Sequence, residues 1–196
     1  MKKHTVLTAA FLAAAFLVSA SESEAQGCNF SPKELTQGER REYRGAYENK
    51  AYGYSVVIPA NLVGYDGVNP FYQHGFWMLL GAEPQSYVFV NGEPNSLEFA
   101  RPVDAASQFL KYFGKDGKVE SSKITESQLG PLKAALLVAT YTCPGSTERY
   151  VRASLVAISP DKSNLYEVTL YARSDRFEQD RALLDALAKS WKHLAA

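Results

Sequence analysis

Only one histidine of this chain stands where it could act as a general base. His4 falls in an N-terminal leader, and His193 sits at the end of a C-terminal helical pattern, where a helix dipole favours a cation. His74 remains, and a Ser-His-Asp arrangement would join it to Asp66 and some serine. No serine lies in a G-x-S-x-G elbow, and Ser55 is flanked by Tyr54 and Val56 in a strand pattern. The ordinary alternative is a strand-start histidine hydrogen-bonded to backbone. Asp66, Asn69, His74 and Glu83 share one loop region, yet no H-x-x-x-H, C-x-x-C or EF-hand spacing organises them into a metal site. Glu93, Glu98 and Asp104 are expected to be solvated, with Asp104 supporting the first turn of a helix. Tyr43, Tyr47, Tyr52, Tyr54, Phe71, Tyr72 and Trp77 could build a ligand pocket or carbohydrate platform, but such residues more often form core and cross-strand packing. No cofactor is implied.

The stretch Leu62–His74 sets Tyr65, Phe71 and Tyr72 among Gly, Asn, Asp and Pro. Aromatic side chains on such a loop give much contact area for little rotamer entropy, which suits protein recognition. Tyr65, Phe71, Tyr72 and His74 are therefore the expected protein-binding residues, with packing of the rings beneath their own loop as the competing reading. Lys and Arg number 21, as do Asp and Glu, and no basic face is clustered. The chain lacks the electrostatic term that dominates nucleic-acid binding.

At the N-terminus, Lys2 and Lys3 precede an apolar run over Val6–Val18 that is too short for a stable span, the pattern of a secretory signal. Cleavage fits after Ala20 or after Ala25, leaving an irregular lead-in over 26–42 and one domain over 43–196, with 1–25 as the signal. The expected location is periplasmic or secreted. The two cysteines, Cys28 and Cys143, would then meet an oxidising compartment, where a disulfide closing so long a loop contributes ~4–5 kcal/mol in the chain-entropy model. Two free thiols, or an acylated Cys28, are the alternatives.

The elements that must position these residues begin with Tyr43–Pro59, in which two arms of aromatic and β-branched residues flank Glu48-Asn49-Lys50. This is the expected opening hairpin of a sheet, closed by Pro59. Ala60–Gln73 shows no period. Gly75–Leu80 and Ser86–Asn91 read as strands. Pro102 opens a helix in which Val103, Ala106, Phe109, Leu110 and Phe113 recur at three- and four-residue spacing up to Gly114. Lys118–Gln128 alternates only loosely. Leu132–Thr142 reads as a central buried strand, and with Arg149–Ile158 and Leu165–Ala172 it makes a three-strand meander. A last helix is expected to start at Ser174 or Asp175, with Glu178 completing a capping box and Phe177, Leu184, Leu187, Trp191 and Leu194 along one side. The fold class is α+β, a mainly antiparallel sheet covered by helices.

The opening Tyr52-Gly53-Tyr54-Ser55-Val56-Val57-Ile58-Pro59, within YENKAYGYSVVIP, and the closing LLDALAKSWK together with this element order resemble the PsbP/Mog1/DcrB-like fold group. The resemblance spans about Tyr43 to Leu194 and contains no active-site motif. It implies an α/β/α sandwich, and a role like that of accessory subunits, adaptors, chaperones of secreted effectors and periplasmic immunity proteins, which are mostly non-enzymatic. The expected function is an exported, non-enzymatic module that docks another envelope or secreted protein. The alternative is a small-molecule binder or hydrolase with a pocket beside the 62–74 loop.

Overall fold

The computed structural model describes residues 41–66, 74–81, 86–113 and 117–194. Among these residues eleven strands and two helices follow in the order β1 Glu42–Tyr43, β2 Gly45–Asn49, β3 Tyr54–Ile58, β4 Gly64–Asp66, β5 Gly75–Leu79, β6 Tyr87–Pro94, α1 Pro102–Phe113, β7 Lys118–Leu129, β8 Leu132–Thr142, β9 Arg149–Ile158, β10 Asn164–Arg173, α2 Phe177–Ser190 and β11 Lys192–His193. Eight strands form one sheet in the order β1-β4-β5-β6-β10-β9-β8-β7, and β11-β3-β2 form a second. Every pairing is antiparallel.

The β2–β3 hairpin forms as expected but does not open the large sheet. It belongs to the small sheet, because β3 pairs on its other side with β11 at the far end of the chain. The reversal lies at Lys50–Gly53, while Asn49 closes β2 as a buried residue whose side-chain carbonyl accepts the Tyr52 N–H at 3.2 Å. Gly53 takes φ 65° there, a left-handed conformation that favours glycine. The aperiodic stretch after Pro59 holds one short strand, β4, which fits because Gly64 lets Phe76 approach where a Cβ would stand 2.8 Å from that ring.

β8 is apolar on both faces but is second from the edge, and the centre is formed by β6 and β10. Its outer neighbour β7 extends the meander to four strands. Polar and mostly exposed, β7 alternates weakly because it is an edge with one neighbour, and its charges protect that edge. Alternate residues of the sheet feed two cores. On one face Phe76, Met78, Val88, Val90, Val168 and Leu170 meet Tyr54, Val56 and Ile58 of β3 and Phe177, Leu184 and Leu187 of α2. On the other, Leu137, Ala139, Tyr141 and Val156 meet Ala105, Ala106 and Phe113 of α1. Val103, placed on the apolar stripe by spacing, is exposed. Gly114 lies outside the described residues.

Two further expectations are corrected. The α2 capping box does not form. Arg176 is the N-cap, with no side-chain capping hydrogen bond, and the Asp175 carboxylate is taken by the Arg173 guanidinium at 3.0 Å. His193 is not at a helix end: the chain leaves the helix at Trp191, which takes φ −61° and ψ 134°. The indole stacks on Tyr54, centroids 4.4 Å apart, and this turn brings β11 onto β3.

Candidate functional site

Tyr65 lies in β4, half-buried, opposite Trp77 in β5. Phe71 and Tyr72 lie outside the described residues, as do Asn69 and Glu83. His74 directly precedes β5 and is half-buried. Its backbone carbonyl accepts the Gly92 N–H and the Tyr54 hydroxyl, both at 2.9 Å. Its Nε2 is 3.4 Å from the Tyr52 hydroxyl, and the two rings are 5.0 Å apart. Asp66 is turned to the other edge, where its carboxylate accepts the Arg41 N–H at 3.1 Å. Ser55 belongs to the small sheet, opposite Lys192. The His74, Asp66 and serine combination is therefore not assembled. Among the described residues no three His, Cys, Asp or Glu side chains could hold a metal ion. Tyr43 packs edge-on against Tyr47, Tyr47 edge-on against Phe76, and Tyr54 stacks on Trp191, the core role weighed against a platform.

Trp77 is different: it stacks on Phe89 at 4.8 Å, and the strand register continues the row as Tyr65, Trp77, Phe89, Thr169, Ser154 and Leu137. An aromatic strip thus runs from the sheet margin into a buried polar cluster that sequence reasoning missed. Arg152 and Glu167 are only 8% and 7% exposed, so each must be satisfied by protein. Arg152 donates from Nη2 to Glu167 at 2.7 Å and from Nε to Ser154 at 2.9 Å, and the Thr169 hydroxyl bonds both Ser154 and Glu167. The guanidinium also lies 5.2 Å from the Tyr171 ring and 5.4 Å from that of Phe113 in α1. The network ties β9, β10 and α1 together. The missed signal was the pairing of R-x-S in one meander strand with E-x-T in the next.

Glu93, expected to be solvated, is half-buried at the end of β6. Burial, followed by repulsion from Glu167, pushes its carboxyl up to about 7 against an opposing hydrogen bond from Asn91. The corner holding Tyr52, His74 and Glu93 therefore contains a carboxyl that exchanges its proton near neutrality.

On the face of the large sheet opposite α1 a groove of about 550 Å³ runs beside α2. Leu136, Val138, Ala153 and Leu155 make its floor, Phe177, Leu184 and Ala188 its inner wall, and the exposed Arg181, Asp185 and Lys189 its rim.

No known protein family matches the sequence, and no curated protein matches it. Solved structures do match. The cyanobacterial PsbP (CyanoP) of Synechocystis sp. superposes with a TM-score of 0.52 at 14% identity, over 85% of this chain and 99% of that one. The Saccharomyces cerevisiae Ran-binding protein Mog1p superposes with a TM-score of 0.51 at 7% identity, over 81% of this chain and 97% of that one. The chain has the PsbP/Mog1 fold. At such identities the likeness concerns the fold alone. Within this fold, Trp77 and the α2 groove lie on opposite faces of the large sheet, with Tyr52 on the groove's face. Among the described residues no helix is long and apolar enough to cross a membrane. None of their cysteines is free, and Cys28 lies outside them.

Proposed function

We propose that the chain is an exported, non-enzymatic accessory module that docks another protein of the cell envelope or a secreted protein. Tyr65, Phe71, Tyr72 and His74 are its docking residues. The observation that carries this reading is the strip from Tyr65 through Trp77 to Phe89. It ends at a sheet margin where, among the described residues, only the two-residue β1 lies beyond β4. Rigid aromatic rings on a strand register give a partner a preordered contact at low entropic cost. The polar cluster behind the strip supports a structural role for Arg152, Ser154, Glu167 and Thr169, because they are bonded to one another. Mog1p, of the same fold, is a Ran-binding protein, so this architecture can carry protein recognition. The secretory pattern of residues 1–25 supports docking in the periplasm or outside the cell, and Cys28 and Cys143 are proposed to be joined there.

A photo-cross-linking residue at position 65 in the exporting cell should capture one discrete partner, whereas the same residue at exposed Val57 on the small sheet should not. Tyr65→Ala should abolish capture and leave the melt within a few degrees of wild type. A sharp fall in melting temperature with capture intact on refolded protein would make the ring structural and sink the reading.

The raised Glu93 carboxyl near Tyr52, whose hydroxyl in turn faces His74, favours a second reading, a small-molecule binder or hydrolase that uses proton transfer at this corner. Hydrolytic turnover of model esters that disappears in both Glu93→Gln and His74→Ala would replace the first reading with this one.

A further inference from the structure

We infer that the groove beside α2 is a separate docking surface, and that its occupant is an amphipathic helix of a partner protein. That helix carries an acidic, basic, acidic stripe at four-residue spacing beside its apolar face. On this side of the large sheet, α2 and the small sheet bury Val168, Leu170, Ala153 and Leu155 almost completely. Among the described residues coverage fails over β7 and β8, where Leu136 and Val138 stay half-buried and Lys123 is exposed. This strip is two strands wide, roughly 10 Å at ordinary strand spacing, and one helix with its side chains measures about 10–12 Å across. The space matches a second helix laid alongside α2. An added β-strand would instead extend the β7 edge within the sheet plane and leave the groove empty.

The rim supplies the partner's charges. Arg181, Asp185 and Lys189 follow one another at four-residue spacing, so they share one stripe of α2. All three are exposed, and among the described residues none is held in an ion pair. They present a basic, acidic, basic pattern along about 12 Å of helix. The complement is acidic, basic, acidic at the same spacing, flanking an apolar stripe that covers Leu136 and Val138. This pattern is the same in either direction. Charge therefore fixes the register of the incoming helix against α2, while the groove shape chooses its direction.

The test uses two synthetic helical peptides of one composition, each with a leucine stripe at helical spacing. One carries Glu-Lys-Glu at four-residue intervals and the other Lys-Glu-Lys. Each is titrated into the full mature chain, and affinity is followed by anisotropy while methyl shifts locate the contact. The Glu-Lys-Glu peptide should bind about tenfold tighter or more, given the usual worth of exposed charge pairs, with shifts at Leu136, Val138 and Leu155. Raising the salt should shrink the difference. The triple variant Arg181→Glu, Asp185→Lys, Lys189→Glu should invert the preference with an unchanged melt, since all three positions are exposed. Tyr65→Ala should leave peptide binding as it was, which separates this inference from the docking surface proposed above. Equal affinities, binding of neither peptide, shifts confined to other residues, or self-association of the chain through this face would each overturn it.

Discussion

Replacing Glu93 with Gln should make the protein more stable at pH 8 and change it little at pH 4.5 and below. The folded carboxyl sits at about 7, against an ordinary value of 4.5. A group whose folded pKa is raised binds its proton more tightly in the native state. Its stabilising contribution is therefore complete below pH 4.5 and is lost as pH rises through 7. The difference of about 2.5 pK units corresponds to ~3 kcal/mol between the acid and alkaline limits, at about 1.4 kcal/mol per unit. For a domain of this size that is a shift of roughly 6–12 °C in melting temperature. Gln keeps a polar head near Asn91 but carries no charge to repel Glu167, so its profile should lack this component. Thermal melts of both proteins from pH 4.5 to 8.5 decide the matter. Parallel profiles, with no convergence at the acid end, would refute the burial argument.

Arg152→Met alone should cost ~3–5 kcal/mol by leaving Glu167 buried and unpaired, and adding Glu167→Leu should recover most of it, as a double-mutant cycle of denaturant melts would show. Truncation before Leu183 should abolish the cooperative melt, because it removes the fully buried Leu184, Leu187 and Trp191, each worth roughly 1.5–3 kcal/mol of burial. Gly130→Ala should destabilise the domain in calorimetry, since its Cβ would stand 2.2 Å from the Trp191 carbonyl oxygen at a backbone φ of 55°. Intact mass and alkylation of the mature chain should show Cys28 and Cys143 protected until reduction; two alkylatable thiols or an acylated Cys28 would refute the pairing.

The legible parts of the fold were those where one residue pattern decides one environment. Tyr43–Pro59 alternates around a turn, Pro102–Phe113 has helical spacing, and the meander strands are bounded by Pro and Gly, so all three emerged as elements. Strand order was not legible. Nothing local says that β3 pairs with Lys192–His193, or that Leu132–Thr142 lies one strand from an edge, because partners distant in sequence set both. At the proposed site, Tyr65 and His74 were singled out through residue type alone. Glu93 and Glu167 were missed for the opposite reason: a carboxylate is solvated unless its neighbours bury it, and those neighbours come from other strands. The capping box at Asp175 did not form, and Arg173, two residues earlier, holds the same carboxylate.

The pairing of β11 with β3 has a kinetic consequence. Tyr54 reaches its stacking partner Trp191 only when the last few residues of the chain have been delivered. The first hairpin cannot bury its inner face until then. Much of the ladder between β10 and β6 likewise spans more than seventy residues of sequence. A chain wired in this way has high contact order and folds slowly as a result. No partial product of synthesis can close this core, so under the export proposed above the domain would stay unfolded until its last residues were released.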